Sequence, residues 1–228
     1  KTDWHKGVIG IVASRCIEHF YRPTIILTES GGMATGSARS VAGFNIYKAI
    51  EACSDLLERF GGHKYAAGLT LKAKNLAAFT EKFENEVAAR ITPEQLVPTQ
   101  KVDFMLELRQ ITENFFKVLE RMAPFGPGNM RPVFASEVVA DEARCRVLKE
   151  KHLKMLVREA NGKTSFDAIG FNMAHLLEKI IPGQPFYICY NIEENHYMGR
   201  TSLQLQLRDI KSADEKAEII RQGTTVQV

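Results

Sequence analysis

Apolar positions in the first ninety residues follow helical spacing in some stretches and strand-like runs in others. Val8, Ile11, Val12 and Cys16 recur at helical spacing and predict a helix over residues 8–21, which Pro23 ends. A β-rich run follows at 24–28. Gly31 and Gly32 supply a turn, and a second strand is expected at 35–40. Asn45 is placed to cap a helix running to about residue 59. Residues 67–72 read as another strand, and Leu76, Phe79, Phe83 and Val87 mark one face of a helix ending near Arg90. The alternation predicts an α/β (α+β) unit over residues 1–92 with a small mixed sheet.

Pro93 and Pro98 flank a short polar stretch, and residues 93–100 read as a linker. The pattern then changes. Val102, Phe104, Leu106 and Leu108 alternate as on a half-buried strand, and residues 111–122 are helical. Pro124, Gly126, Pro127 and Gly128 form a rigid turn. Strand-like runs occupy 133–139, 153–158, 165–171, 185–192 and 201–210, with a short helix at 174–179. In the last run Leu203, Leu205 and Leu207 face one way, and Gln204, Gln206 and Arg208 the other. Five or six strands with one interposed helix suit an OB-like barrel over residues 101–212. Residues 214–222 read as a helix within a tail at 213–228.

Composition narrows the class. The 228 residues are enough for one or two domains, and a formal net charge of +3 is too mild to announce a nucleic-acid binder. Cys16, Cys53, Cys145 and Cys189 form no C-x-x-C pair, which argues against a zinc site. Cys16 and Cys53 lie in apolar helical patterns and read as reduced core residues, as in a cytoplasmic protein. No apolar run approaches the ~20 residues of a membrane helix. The chain starts at Lys1 with no signal-like segment, and reads as a piece of a longer protein.

Three segments carry groups suited to phosphate. Residues His5 and Lys6 precede the first helix, where free N–H groups attract anions. Ser37 and Arg39 stand two apart on a strand, so both point to one face, where the guanidinium can grip a phosphate. Gly61, Gly62 and His63 combine close backbone approach with a hydrogen-bond donor. Each segment also has an ordinary reading: a polar helix start, a solvated strand end, and a helix closed by a glycine cap. Their coincidence in one short region favours a binding site.

WHKGVIGIVASR, GSARS and GGHKYAAG, in that order, resemble the DHH-associated domain of RecJ-type exonucleases. PFGPGN at 124–129 and GRTSLQLQLRDI at 199–210 resemble segments of the domain that follows it in those enzymes. The resemblance implies a bacterial, cytoplasmic enzyme that removes nucleotides from the 5′ end of single-stranded DNA in repair and recombination. It implies that His63 approaches the scissile phosphate, with Gly61 and Gly62 giving close access. Ser37 and Arg39 then hold the terminal 5′ phosphate, with help from His5. Many relatives have a third glycine before the histidine, where this chain has Phe60.

In the family, paired divalent ions (Mn or Mg) are held by aspartates and histidines of a preceding DHH domain. No Asp-His-His tripeptide occurs here, so this part is expected to hold no metal and to be inactive alone. The expected partners are single-stranded DNA bearing a 5′ phosphate, the DHH domain and DNA repair proteins, with no membrane. In the OB-like part, Lys151, Lys154, Arg158 and Arg200 are the candidate DNA contacts, with Lys149, His152 and Tyr197 beside them. Phe104, Phe134 and Phe166 are assigned to the core. The alternatives are a DHH-type phosphodiesterase of short oligonucleotides or cyclic dinucleotides, a non-catalytic nucleic-acid-binding module, and a docking scaffold.

Overall fold

Hairpins, more than helices, organise the first ninety residues. The computed structural model describes residues 4–181, 183–213 and 225–227, and the chain divides into two units, Lys1–Pro98 and Thr99–Val228. In unit 1, helix α1 (Ile9–Phe20) buries Ile9 and Ala13, four residues apart on one face, and packs on the first two strands. Strands β1 (Thr24–Ser30) and β2 (Met33–Arg39) are joined through Gly31 and Gly32, both at positive φ (60° and 72°), as a tight hairpin requires. Helix α2 (Ile46–Glu51) starts at Asn45, whose side chain accepts from the Lys48 N–H. Strands β3 (Arg59–His63) and β4 (Ala66–Lys72) form a second hairpin, and α3 (Leu76–Arg90) follows.

Two expectations are corrected here. The helix predicted to reach residue 59 stops at Glu51. A 3-10 turn at Ser54–Leu56 leads into β3, because pairing with β4 and the packing of Phe60 on the core outweigh local helix propensity. The glycine-glycine-histidine segment is therefore the end of an edge strand, and the turn lies at Lys64 and Tyr65. The sheet, in order β1-β2-β4-β3, is antiparallel throughout and not mixed, since both strand pairs are closed by short turns. One sheet face carries Ala34, Ala38, Ala67, Leu69 and Leu71 into a core with Ile46, Ile50, Phe79 and Phe83.

The stretch expected as a linker has structure of its own. A 3-10 turn at Pro93–Leu96 is tied to unit 1 by Arg22, which donates to the Leu96 carbonyl oxygen at 3.0 Å. In unit 2, β5 (Thr99–Lys101) pairs with β13 (Thr225–Gln227). The larger sheet comprises β6 (Phe104–Met105), β7 (Phe134–Ala140), β8 (Arg146–Leu148), β9 (His152–Arg158), β10 (Ser165–Gly170), β11 (Phe186–Tyr197) and β12 (Arg200–Ser212). Its order is β6-β7-β11-β12-β10-β9-β8, and β7 pairs additionally with β9. Helix α4 (Glu113–Glu120) is capped by Thr112. Phe134, Met155, Tyr190, Leu205 and Ile210 are among the residues of its core. The predicted helix at 214–222 lies outside the described residues.

The alternating run at 102–108 forms only the two-residue strand β6, followed by a 3-10 turn at Leu108–Gln110. Val102 and Leu108 are buried, but Phe104 is 65% exposed. It sits on the sheet's outermost strand, paired with β7 alone. Phe134 is buried as expected, and Phe166 is packed against the core. Cys53 is buried, whereas Cys16 is only half-buried. The alternation of the last strand also breaks. Cys189 lies opposite Asp209 and Tyr190 opposite Leu207, so Arg208 is the extra residue of a β-bulge.

Candidate phosphate-binding face

The sheet register of unit 1 collects Ser37, Arg39, Gly61 and His63 on the face opposite its core, whereas Gly62, paired with Ala67, lies in the core-side row and His5 precedes the first helix. Arg39 pairs with Ala66, which pairs with His63, and Ser37 pairs with Gly68, which pairs with Gly61. Residues directly opposite one another in an antiparallel sheet share a face. The guanidinium and hydroxyl therefore stand on β2, and the imidazole on β3, two strand spacings or about 10 Å away. Between them the floor is Ala66, Gly68 and Gly61, with the two glycines exposed. A shallow depression of about 300 Å³, lined by Thr35, Arg59, Gly61, Gly68 and Thr70 among others, continues along the same face.

Arg39 is held in place. Its Nη1 donates to the Ser37 Oγ at 3.0 Å and to the Ala38 carbonyl oxygen at 2.8 Å. Helix α1 fits against this pair through Gly10: a Cβ there would lie 2.9 Å from Arg39 Nη2 and 3.2 Å from Ser37 Oγ. The glycine lets the helix approach the guanidinium closely. His5 closes the turn before α1, where its Nδ1 accepts from the Gly7 N–H at 3.1 Å. In the neutral ring this puts the proton on Nε2, which is then a donor on an exposed residue. Beyond His63, the chain turns through the exposed Lys64 and Tyr65, with the Lys64 ammonium 5.2 Å from the Tyr65 ring centre. That turn is pinned by backbone bonds from Ser40 to Tyr65 and from Ile46 to Lys64.

Of the candidates in unit 2, two have their charges engaged locally. Lys154 lies 3.5 Å from Asp167, and Arg158 donates to the carbonyl oxygens of Glu159 and Ala160. Lys151 lies in the turn between β8 and β9, and His152 Nδ1 accepts from the Asn172 N–H. Tyr197 and Arg200 flank the β11–β12 turn, whose Met198 and Gly199 both have positive φ.

Comparison with known proteins finds matches for both parts of the chain. The model of the DHHA1 domain matches residues 1–89, and that of the RecJ OB domain matches residues 102–209. The single-stranded-DNA-specific exonuclease RecJ of Bacillus subtilis (strain 168) is 37% identical over 213 residues, covering 92% of this chain and 27% of that protein. The chain belongs to the RecJ family. Crystal structures of RecJ from Thermus thermophilus in complex with Mn2+ and with Mg2+ match with TM-scores of 0.76 and 0.73. Their identities are 27% and 29%; each match covers 93% of this chain, and 30% and 32% of the respective RecJ chains. The chain thus spans about a quarter to a third of the length of these relatives.

The Thermus RecJ structures are complexes with divalent ions, so the donors present here bear on the comparison. Among the described residues, no three His, Cys, Asp or Glu side chains are gathered as a metal site requires. The described residues therefore offer no donor set that fits a resident divalent ion. Two features of this chain were not predicted from its sequence. Gly10 lies inside a helical pattern, where a glycine is itself the signal of a close approach. Arg208 is aimed by a bulge, which leaves no trace in a regular alternation.

Proposed function

We propose that this chain is the substrate-gripping part of a single-strand-specific 5′-to-3′ exodeoxyribonuclease. Arg39 and Ser37 take the terminal 5′ phosphate, His5 adds a donor at its rim, and His63 meets the scissile phosphate. The observation that carries the reading is the shared sheet face, with an anchored Arg39 and Ser37 at one side, His63 at the other and a bare floor between. A histidine N–H donating to a non-bridging phosphoryl oxygen stabilises charge that develops as the bond breaks. A site built on a guanidinium disfavours a 5′ hydroxyl, which leaves the cation without its anion. Residues 1–92 form the end-binding domain. Residues 101–212 form an OB-like barrel that holds the strand further along, a reading supported by the β7–β9 pairing that joins five strands into a ring. A preceding DHH domain supplies the Mn2+ or Mg2+ chemistry, so this chain alone leaves strands uncleaved.

The test is binding of a labelled strand of about 12 nucleotides, with either a 5′ phosphate or a 5′ hydroxyl, at two salt concentrations. Tighter binding of the phosphorylated strand is expected. Arg39→Ala should remove most of that preference, roughly 10- to 100-fold for a charged hydrogen bond of ~1.5–3 kcal/mol. Gly10→Ala should weaken it too, by displacing Arg39 Nη2, while the helix gains up to ~1 kcal/mol from the better helix former. Equal binding of both strands would reject the end pocket on this chain.

A further inference from the structure

At the edge of the larger sheet lies a cleft of about 690 Å³, whose lining includes Lys101, Phe104, Asn129, Arg131, Asn191 and Arg208. An apolar hollow of about 320 Å³ adjoins it and shares Phe104, Met122 and Pro132. Phe104 is thus an uncovered aromatic ring common to an apolar hollow and a polar cleft. The cleft is built rather than incidental. Arg208, the bulged residue of β12, donates from Nε to the Oδ1 of Asn191 at 2.6 Å. Asn191 is 1% exposed, and its Nδ2 donates to the Pro132 carbonyl oxygen at 2.6 Å. A buried amide therefore fixes the angle at which this guanidinium leaves the sheet. Arg131 lies over the Phe125 ring at 4.5 Å and pairs with Glu120 at 2.9 Å. Asp103, the single carboxylate in the lining, accepts from the Val133 N–H at 3.0 Å.

We propose that this cleft is a single-strand subsite, in which a nucleobase stacks on Phe104 and the adjoining phosphates lie against Arg208 and Arg131. The inference rests on the DNA-binding reading above. It moves the grip of unit 2 away from Lys151, Lys154, Arg158 and Arg200. A flat ring beside fixed cations suits a ligand that repeats a flat base and an anion in every unit, and stacking is tolerant of sequence because every base has a π-face. An acidic peptide with an apolar anchor meets the same cations, but any apolar side chain in place of Phe104 serves it equally.

The experiment uses the 228-residue chain and a labelled oligothymidylate with a 5′ hydroxyl, followed by fluorescence anisotropy. Phe104→Ala and Phe104→Leu are both expected to lower affinity about 5- to 100-fold, as loss of a base stack does. Phe104→Trp should retain affinity, and the new emission, read against that of Trp4, should be quenched by bound strand. Arg208→Ala should reduce the slope of log affinity against log salt by about 0.7. The double substitution Lys151→Ala, Lys154→Ala should leave affinity near the parent value. Because Phe104 is exposed, its variants should keep the parent thermal midpoint. Parent affinity in Phe104→Ala overturns the proposal, and parent affinity in Phe104→Leu alone replaces stacking with a general apolar contact of the kind a peptide makes. Loss of end preference in Arg39→Ala with the Phe104 effect intact separates the two sites, and failure to bind any strand rejects both.

Discussion

A methyl group added at Gly62 would lie 2.5 Å from the Ala67 Cα and closer still to the Ala66 carbonyl oxygen, at a residue whose φ is 143°. One added at Gly61 would meet nothing within 4 Å, and would stand on the bare floor between Arg39 and His63. Adjacent glycines thus serve different ends: Gly62 admits the close hairpin, and Gly61 keeps the face open. Gly62→Ala is expected to destabilise unit 1 by on the order of 1–3 kcal/mol or more, because strain and collision add. Gly61→Ala should leave the urea midpoint nearly unchanged while weakening binding of the 5′-phosphorylated strand several-fold. Equal loss of stability in both variants would refute the distinction. In the sequence the pair reads as one motif, and only the register of β3 on β4 separates the roles.

At the scale of elements, a buried hydroxyl chain ties β7 and β11 to the segment that follows β6. Ser136 on β7 donates to the Leu106 carbonyl oxygen at 2.6 Å, so the Tyr190 hydroxyl on β11, 2.7 Å away, must be the donor to Ser136. Tyr190→Phe removes one donor and should cost about 1 kcal/mol. Ser136→Ala leaves both the tyrosine hydroxyl and the Leu106 carbonyl without their partner, and should cost more, about 1–3 kcal/mol. Urea denaturation of the two variants gives the order, and the reverse order would disprove this donor assignment. This chain of bonds also shows where sequence reading reaches. The long alternation of Leu203, Leu205 and Leu207, the Asn45 cap and the Phe79–Phe83 face are local patterns, and each appears in the structure as expected. Ser37 and Arg39 share a face because of period two alone. The end of α2, the exposure of Phe104 and the aim of Arg208 depend on which strand lies alongside. Strand pairing joins residues far apart in sequence, so no local window contains it.

At the scale of the whole molecule, each unit closes its own core, and unit 2 carries the more strongly perturbed protons. Burial pushes the Cys189 thiol up from 9.0 to about 12, with the neighbouring Asp209 carboxylate adding to the shift and Arg208 and Lys211 opposing it. Burial raises the Tyr190 phenol as well. Below pH 9 the Cys189 thiol is protonated in the folded and unfolded chain alike, so its contribution is fully present. Between pH 9 and about 12 the unfolded chain releases a proton that the folded unit keeps, so folding stability falls as pH rises. One such proton is worth about 1.4 kcal/mol for each pH unit. The urea midpoint should therefore drop between pH 9 and 11, and Cys189→Ala should make that drop shallower whatever its stability at pH 7. The same burial predicts that Cys189 resists alkylation at pH 8 in the native chain and reacts once urea unfolds it. A Cys189→Ala variant whose stability falls with pH as steeply as the parent's would show that this thiol ionises alike in both states, and that other groups set the alkaline limit.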